Sequence, residues 1–424
     1  MIRAARLLLV PAALGACLVS ARAEAPVSLS FGGYLGQVSR SNLELMAQRY
    51  SVPIAEAQVA VARLFPDPVV TGGISQIDIS GQSAPFLSTL GVTLPIELGG
   101  KRSGRVGVAR AEVQVAHAEL ADALRRLRAE AATAYVGALA ARLVLDRKQR
   151  TLESLMRLVA VNEKRVQVGD IGEVALIQSR VESQRYHAEV LAAEAEVEAA
   201  DLALRLYLGQ AAPPRGTLLT VTGELRIAPR TFDEEALLQS ARTQRPDVTA
   251  RRRAEDAAAA RVALARRNRM VDLTLNVSWQ RSLYSEPFAS PQYDALTAVA
   301  SLPLPLSRVY RGELDAALHG AEQAAATQQA TQLRAEVEVL QALVRYRSAV
   351  KQLGLYTQGV LADAERVSTA TLYSYQRGGA TLLEVLNAQR TVEEVHLAYY
   401  GALAEHARQL IAVEQAAGIW DVVF

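Results

Sequence analysis

The sequence has 424 residues, of which 50% are apolar and 21% charged, a balance that excludes a disordered chain. The formal net charge is +2 with basic and acidic residues interleaved, so no basic stripe points to nucleic acid as a partner. The single cysteine, Cys17, excludes an intrachain disulfide framework and a thiolate-rich metal site.

The first predicted element is a secretory signal over residues 1–23. Arg3 and Arg6 form its positive end, Leu7 to Val19 its apolar core, and Ala21-Arg22-Ala23 a cleavage site. Leu14-Gly15-Ala16-Cys17 offers a second, lipoprotein-type box, which would leave Cys17 as a lipidated first residue. Beyond the signal, the longest uncharged run is Ile79 to Ile96, and Gly81, Pro85, Gly91 and Pro95 interrupt it. A spanning helix needs about 20 mostly apolar residues, so an exported chain without a helical anchor is expected.

The remainder repeats itself. "TLPIELGGKRSG" at residues 93–104 returns as "SLPLPLSRVYRG" at 301–312. "ARLFPDPVVTGGISQ" at 62–76 aligns with "ARRNRMVDLTLNVSWQ" at 265–280, and "VGDIGEVALIQSR" at 168–180 with "RGGATLLEVLNAQR" at 377–390. Two copies of one unit in the same order mark an internal duplication.

Each unit reads as helix, β-hairpin, very long helix, tight turn and return helix. Helices are predicted over 24–66, then a first hairpin over 67–99, in which Leu90, Val92, Leu94 and Ile96 alternate with Thr89, Gly91 and Thr93; Val69 to Ile79 is the weaker strand. A long helical hairpin follows over 100–209. Its seam, Val113, Ala116, Leu120, Leu124, Leu127, Ala131, Ala134, Ala138, Ala141 and Leu145, has coiled-coil spacing. A linker over 210–232 breaks the periodicity and holds a candidate short strand at Leu218 to Val221.

The second unit has helices over 233–269 and a hairpin over 270–306. There Leu273, Leu275, Val277 and Trp279 alternate with Thr274, Asn276, Ser278 and Gln280, and Leu296 to Leu304 carry the same face. Its long helical hairpin covers 307–418, with bends expected at Gly354 and Gly359, and a tail covers 419–424. Trp279, Tyr284, Phe288 and Tyr293 are expected at one end of the second hairpin, and Phe65 and Tyr310 near the other end of the strands, as interfacial aromatics. The strands have the length that a tilted transmembrane strand needs. The Leu-Pro segments then mark strands leaving a bilayer for helices in water.

Four strands cannot close a barrel with a lumen, and lipid tolerates no open sheet edge. Strands that cross a membrane here require several chains to share one barrel. The strand number does not choose between two chains and three.

The repeat, the "ELGGKR" exit and the two turn motifs resemble the TolC family of outer-membrane efflux channels, and "LPIELGGKRSGRV" is similar to its CzcC-like heavy-metal branch. The resemblance implies a mainly α fold with β: two structural repeats, four strands per chain in a shared trimeric twelve-stranded barrel, and antiparallel coiled coils forming a periplasmic α-barrel. It implies a homotrimer in outer-membrane lipid, working with a periplasmic adaptor and an inner-membrane RND-type proton-driven pump, and no enzymatic role. Drug-like molecules or secreted proteins are the alternative cargo, and a periplasmic coiled-coil scaffold without a pore the alternative of another class. The resemblance makes Val168, Gly169, Asp170 and Ile171, with Arg377, Gly378, Gly379, Ala380 and Thr381, the adaptor-docking tips. It makes Glu384 and Asn387 the periplasmic gate, where an asparagine at the second place weakens a carboxylate ring.

Other chemistry is not visible in the sequence. The five histidines, His117, His187, His319, His396 and His406, form no ligand motif, and neither a phosphate loop nor a nucleophile elbow occurs. No metal site and no cofactor are expected.

Overall fold

The computed structural model describes residues 28–75, 86–210, 219–283, 293–305 and 311–422. The signal segment with Cys17, the aromatics Tyr284, Phe288 and Tyr310, the end of the first strand beyond Ser75, and most of the linker lie outside them.

The chain opens with a short strand, β1 (Ser28–Ser30), and three helices, α1 (Phe31–Ser41), α2 (Leu43–Arg49) and α3 (Ser51–Ala62). Strands β2 (Val69–Ser75) and β3 (Phe86–Ile96) lead into α4 (Lys101–Gln167) and α5 (Glu173–Tyr207). A short strand, β4 (Thr220–Thr222), follows, then α6 (Glu234–Gln244), α7 (Pro246–Asn268), β5 (Leu273–Leu283) and β6 (Asp294–Ser301). The last elements are α8 (Arg311–Leu355), a π-helical turn (Tyr356–Val360), α9 (Leu361–Gln376) and α10 (Leu382–Ala417).

The four long strands form one antiparallel sheet in the order β2-β3-β5-β6. The central pair joins the two repeats, with Leu90 opposite Trp279 and Val92 opposite Val277. Helices keep the order of the strands they continue: α3 lies beside α4, α4 beside α7 and α7 beside α8. Toward the far end the order becomes α5, α4, α10, α9. The molecule is a curtain of four strands above and four helices below, two from each repeat.

α4 has 67 residues, about 100 Å at 1.5 Å each. The pattern from about Arg105 to Val161 suggests a shorter helix; α4 takes in Gly104 at its start and continues to Gln167. The return helices are half that length, and stacking makes up the difference. α5 ends at Gly209, with φ 65°, against the start of α2, where Ser41 Oγ donates to the Leu208 carbonyl at 2.7 Å and Asn42 Nδ2 to that of Tyr207 at 3.1 Å. A Cβ on Gly209 would lie 2.5 Å from the Ser41 carbonyl oxygen. α10 ends likewise at Gly418 against α7, where Arg245 Nη1 donates to the Ala416 carbonyl at 2.9 Å. Both joins satisfy helix-terminal carbonyls that would otherwise be left without donors.

The main core sits at these joins. Phe31 and Tyr34 of α1, Ala131, Tyr135 and Val136 of α4, Val339 and Tyr346 of α8, and Leu403, Leu410 and Ile411 of α10 pack in it. α4 is enclosed on more than its seam here, so Ala132, Tyr135 and Leu139 are buried as well. β1, which the sequence does not announce, pairs in parallel with β4, one to two residues beyond the expected strand. The Tyr135 hydroxyl lies 2.7 Å from the Leu29 carbonyl and 2.6 Å from that of Thr222, tying this pair to α4.

The expected bend in the second long helix is the π turn at Tyr356–Val360. Trp279 is not at the hairpin end but in mid-strand, paired with Leu90 and Leu296. Leu302 and Leu304 lie past the end of β6.

Candidate functional site

The sheet has two chemically distinct faces. One carries Val70 and Ile74, Leu90, Val92 and Leu94, Leu275, Val277 and Trp279, and Leu296 and Ala298, which the cross-strand register places side by side. The other is mostly Thr71, Thr89, Thr93, Thr274, Asn276, Ser278, Gln280 and Thr297. The apolar face is left uncovered: Leu90 is 56%, Ile74 78% and Leu296 77% accessible. In a water-soluble sheet that face would be covered. The polar face is knit together, with Asn276 Nδ2 donating to Thr93 Oγ1 at 2.7 Å. Gly91 lies on it between Thr71 and Ser278, where a Cβ would meet Thr71 Oγ1 at 2.9 Å. Among the described residues β2 and β6 each have one partner, which leaves both edges of the sheet open there.

Below the sheet the strands become helices through a charged collar. Gly99 and Gly100 take left-handed conformations at φ 72° and 69° and turn β3 into α4. Asp272, just before β5, accepts from the Leu98 amide at 3.1 Å and from Lys101 Nζ at 2.7 Å. Arg105 pairs with Glu97, and Arg267 Nη1 donates to the Gly100 carbonyl at 3.1 Å. Most of the charged residues in "ELGGKRSGR" therefore hold the exit from the sheet.

At the opposite end, about 100 Å away by the length of α4, two turns repeat the same geometry. Gly169 has φ 73° and Gly378 φ 78°. The Asp170 amide donates to the Arg165 carbonyl at 2.8 Å, and the Gly379 amide to that of Ser374 at 2.9 Å, the six-to-one bond of a Schellman cap. Val168 is 78% exposed, and a Cβ on Gly169 or Gly378 would meet nothing within 4 Å. These glycines are required by the turn's left-handed conformation, not by crowding.

The two tips are joined. Tyr375 of α9, buried, donates its hydroxyl to Asn162 Oδ1 of α4 at 2.8 Å. Arg165 sits over the Tyr375 ring at 4.8 Å and reaches Asp170 at 2.5 Å. Arg390 of α10 donates from Nε and Nη2 to the two carboxylate oxygens of Glu182 of α5, at 3.0 and 2.8 Å. That double hydrogen bond from Arg390 holds the Glu182 carboxyl below the usual carboxylate range.

Glu384 and Asn387 lie one turn apart on the exposed side of α10. Glu384 also caps the helix: its Oε2 accepts from the Thr381 amide at 2.7 Å, and the Thr381 hydroxyl accepts from the Glu384 amide at 3.3 Å. The bond from the Thr381 amide lowers its pKa, so this carboxylate is charged at neutral pH and fixed in place.

Sequence reasoning missed the charges buried at the helix joins. Arg245 is 2% exposed and donates to Asp247 at 2.9 and 2.6 Å and to Glu338 at 2.8 Å. Glu414, fully buried, accepts from the amides of Asp421 and Val422 at 3.0 Å each and pins the C-terminal tail; burial pushes it up to about 8. The only signal for Arg245 was the following Pro246, which marks a helix start. Of the histidines, His406 is buried against Tyr346 and His396 contacts Glu365 at 3.0 Å. Among the described residues no cluster of three or more metal-ligating side chains exists, and no helix is long and apolar enough to cross a membrane.

Comparison with known proteins agrees with this architecture. The chain is 26% identical over 395 residues to the cobalt-zinc-cadmium resistance protein CzcC of Cupriavidus metallidurans, covering 93% of this chain and 91% of the relative. It superposes on the outer-membrane channel OprN with a TM-score of 0.75 at 21% identity, covering 92% of this chain and 89% of that one. For the Campylobacter jejuni CmeC outer-membrane channel the TM-score is 0.73 at 18% identity, covering 97% and 94%. The model of the outer membrane efflux protein family matches residues 35–210 and 237–419, most of the described chain, and the protein therefore belongs to that family of outer-membrane efflux channels.

Proposed function

We propose that three copies of this chain close a twelve-stranded barrel in the outer membrane and form the exit duct of a tripartite pump for heavy-metal cations. The observation that carries the pore is the open sheet with its apolar face outward. Its free edges at β2 and β6 leave backbone groups that lipid cannot satisfy, and the edge-to-edge pairing of copies supplies the missing ladder. The helices below expose apolar residues along both sides, with Ile54 and Phe65 on the α3 side and Leu333 and Val344 on the α8 side.

The cargo is read from the likeness to CzcC, whose name states resistance to cobalt, zinc and cadmium. In this reading the chain conducts cations without holding them tightly. An inner-membrane proton-driven pump selects and drives them, and a periplasmic adaptor contacts the tips at Val168–Ile171 and Arg377–Thr381. Glu384 and Asn387 line the entrance, where the fixed Glu384 carboxylate attracts cations.

A deletion strain tested metal by metal checks the cargo: sensitivity to at least one of cobalt, zinc or cadmium is expected, and unchanged tolerance of all three removes the metal reading. Gly169→Pro and Gly378→Pro replace residues at positive φ with one locked near −65°. Both are expected to leave the barrel assembled and abolish resistance; retained resistance in both argues against docking at the tips. Glu384→Gln is expected to reduce cation preference in single-channel recordings, and an unaltered pore removes it from the entrance.

A further inference from the structure

A cleft at the join of α10 with α7 is strongly basic in a chain that is nearly neutral. It is bounded by α4, α7, α8 and α10 and has a volume of about 550 Å³, within the range of small-molecule sites. Six arginines and three carboxylates line it, a surplus of three positive charges where the whole chain carries a net +2. The carboxylates are already engaged within the wall. Asp122 accepts from Arg125 at 2.7 Å and pairs with Arg126 at 2.9 Å, and Asp247 and Glu338 accept from Arg245 at 2.6 and 2.8 Å. Arg251 of α7 and Arg334 and Arg345 of α8 are exposed, and among the described residues they have no hydrogen bond or ion pair. Thr331, Gln341 and Gln409 add neutral donors to the same opening.

The cleft opens on the side of the helix layer away from the short elements. On α8, Glu336 and Arg347 pair with Arg242 and Glu234 of α6, whereas Arg334, Glu338, Gln341 and Arg345 recur at helical spacing about half a turn round. On α4, Tyr135 and Arg142 reach the β1–β4 pair, and Asp122, Arg125 and Arg126 project to the other side. The pad of α1, α6 and the β1–β4 pair therefore covers one face, and the arginines occupy the opposite one. Twelve helices spaced about 9 Å apart make a ring about 35 Å across between axes, with about 25 Å clear inside. Three pads turned inward, each about 10 Å thick, would close that space. A ring of three chains that conducts has the pads outside and the arginine clefts facing the duct.

We propose that this cleft binds a multivalent oxyanion, a compound carrying phosphate or carboxylate groups at more than one point. Arg334 and Arg345 bracket it about 16 Å apart along α8, and Arg251 lines the same opening from α7. The planar N–H fork of a guanidinium matches two oxygens of either group at once. Three unpaired guanidinium groups around one opening also repel one another, and a bound anion relieves that repulsion. In three copies these arginines form a positive belt about 65 Å above the tips. The bare belt opposes the passage of cations, and anions held in the clefts remove the barrier. This effect on conduction rests on the reading of three chains as a duct; the binding does not.

The test is calorimetry on the full chain assembled in lipid, titrated with inorganic pyrophosphate and, separately, with citrate. About 0.1 M chloride is kept present, where a Debye length of about 10 Å suppresses general attraction. The native chain is compared with a cleft variant carrying Arg251→Gln, Arg334→Gln and Arg345→Gln. A control carries Arg40→Gln, Arg157→Gln and Arg366→Gln, which removes three exposed arginines elsewhere. Native and control chains are expected to bind at least one of the two anions. The cleft variant is expected to bind it at least about tenfold more weakly, the loss of one charge-assisted hydrogen bond. The anion held more tightly assigns the site to phosphate or to carboxylate. No binding of either anion by the native chain, equal affinity in the cleft variant, or equal weakening in the control overturns the proposal. Where the triple variant does not assemble, Arg334→Gln alone is read in the same way. Single-channel recordings on the same chains read the belt: the anion is expected to raise the cation-to-anion permeability ratio of the native pore and to leave that of the cleft variant unchanged. Binding as expected with permeability unaltered upholds the site and removes it from the conducting path.

Discussion

Val277 and Asn276 are neighbours on β5 whose side chains stand on opposite faces of the sheet, so placing the same charge at each distinguishes lipid from lumen. Val277 lies near the middle of the eleven-residue strand, paired with Val92 and Ala298. An arginine facing lipid near mid-bilayer in a β-barrel costs about 2–4 kcal/mol, a factor of about 30 to 900 in the assembly equilibrium per chain. Three chains sharing one barrel would triple that cost to about 6–12 kcal/mol. Asn276 faces the hydroxyl-lined side, where the added guanidinium stays hydrated. Outer-membrane fractionation followed by electrophoresis without boiling reads the assembled oligomer directly. Val277→Arg is expected to deplete it and Asn276→Arg to leave it intact, with a lower cation-to-anion permeability ratio. Normal assembly of Val277→Arg, or failure of Asn276→Arg alone, would refute the assignment of faces.

Other consequences are open to direct measurement. Arg245→Met removes four hydrogen bonds at the α10–α7 join and leaves Asp247 and Glu338 without their main partner. A loss of about 3 kcal/mol is expected, the low end for breaking a buried pair, because both carboxylates keep partial access to water; thermal unfolding checks it. Asn162→Ala leaves the Tyr375 hydroxyl without its acceptor, a loss of about 1–2 kcal/mol, seen as faster proteolysis at the two tip turns. The Glu182 carboxyl is depressed in the folded chain. Its contribution is therefore complete above the pKa of an unfolded glutamate and lost as pH falls through the lower folded value. Melting of the native chain is expected to drop more steeply below about pH 4.3 than that of Glu182→Gln, and parallel curves would contradict this.

Much of this protein was legible because its signals are local. The alternation in Leu273–Gln280 fixes which side chains share a face, and Gly169 and Gly378 end helices because an L-residue resists positive φ. Even the duplication, and hence the repeated exit from strand to helix, can be read along the chain. Periodicity states which residues are on one face but not what that face meets. The apolar face of β3 and β5 reads the same for a soluble sandwich as for a membrane wall, and the exposure of that face in the fold separates the two. β1 was not legible, because three residues of Ser-Leu-Ser carry no period and exist as a strand only beside Thr220–Thr222. Trp279 was misplaced because its position in the register depends on a strand about 190 residues away.

The sequence by itself determined the repeat, the kinds of the long elements and the turns at Gly169 and Gly378. Tertiary structure decided how those pieces are joined: the order β2-β3-β5-β6, the end-to-end stacking of α5 on α2 and α10 on α7, and the burial of Arg245 and Glu414. The division has a physical origin. Backbone preference and hydrophobic period act between residues a few positions apart, whereas strand pairing and the pairing of a buried charge depend on partners brought together only when the chain folds.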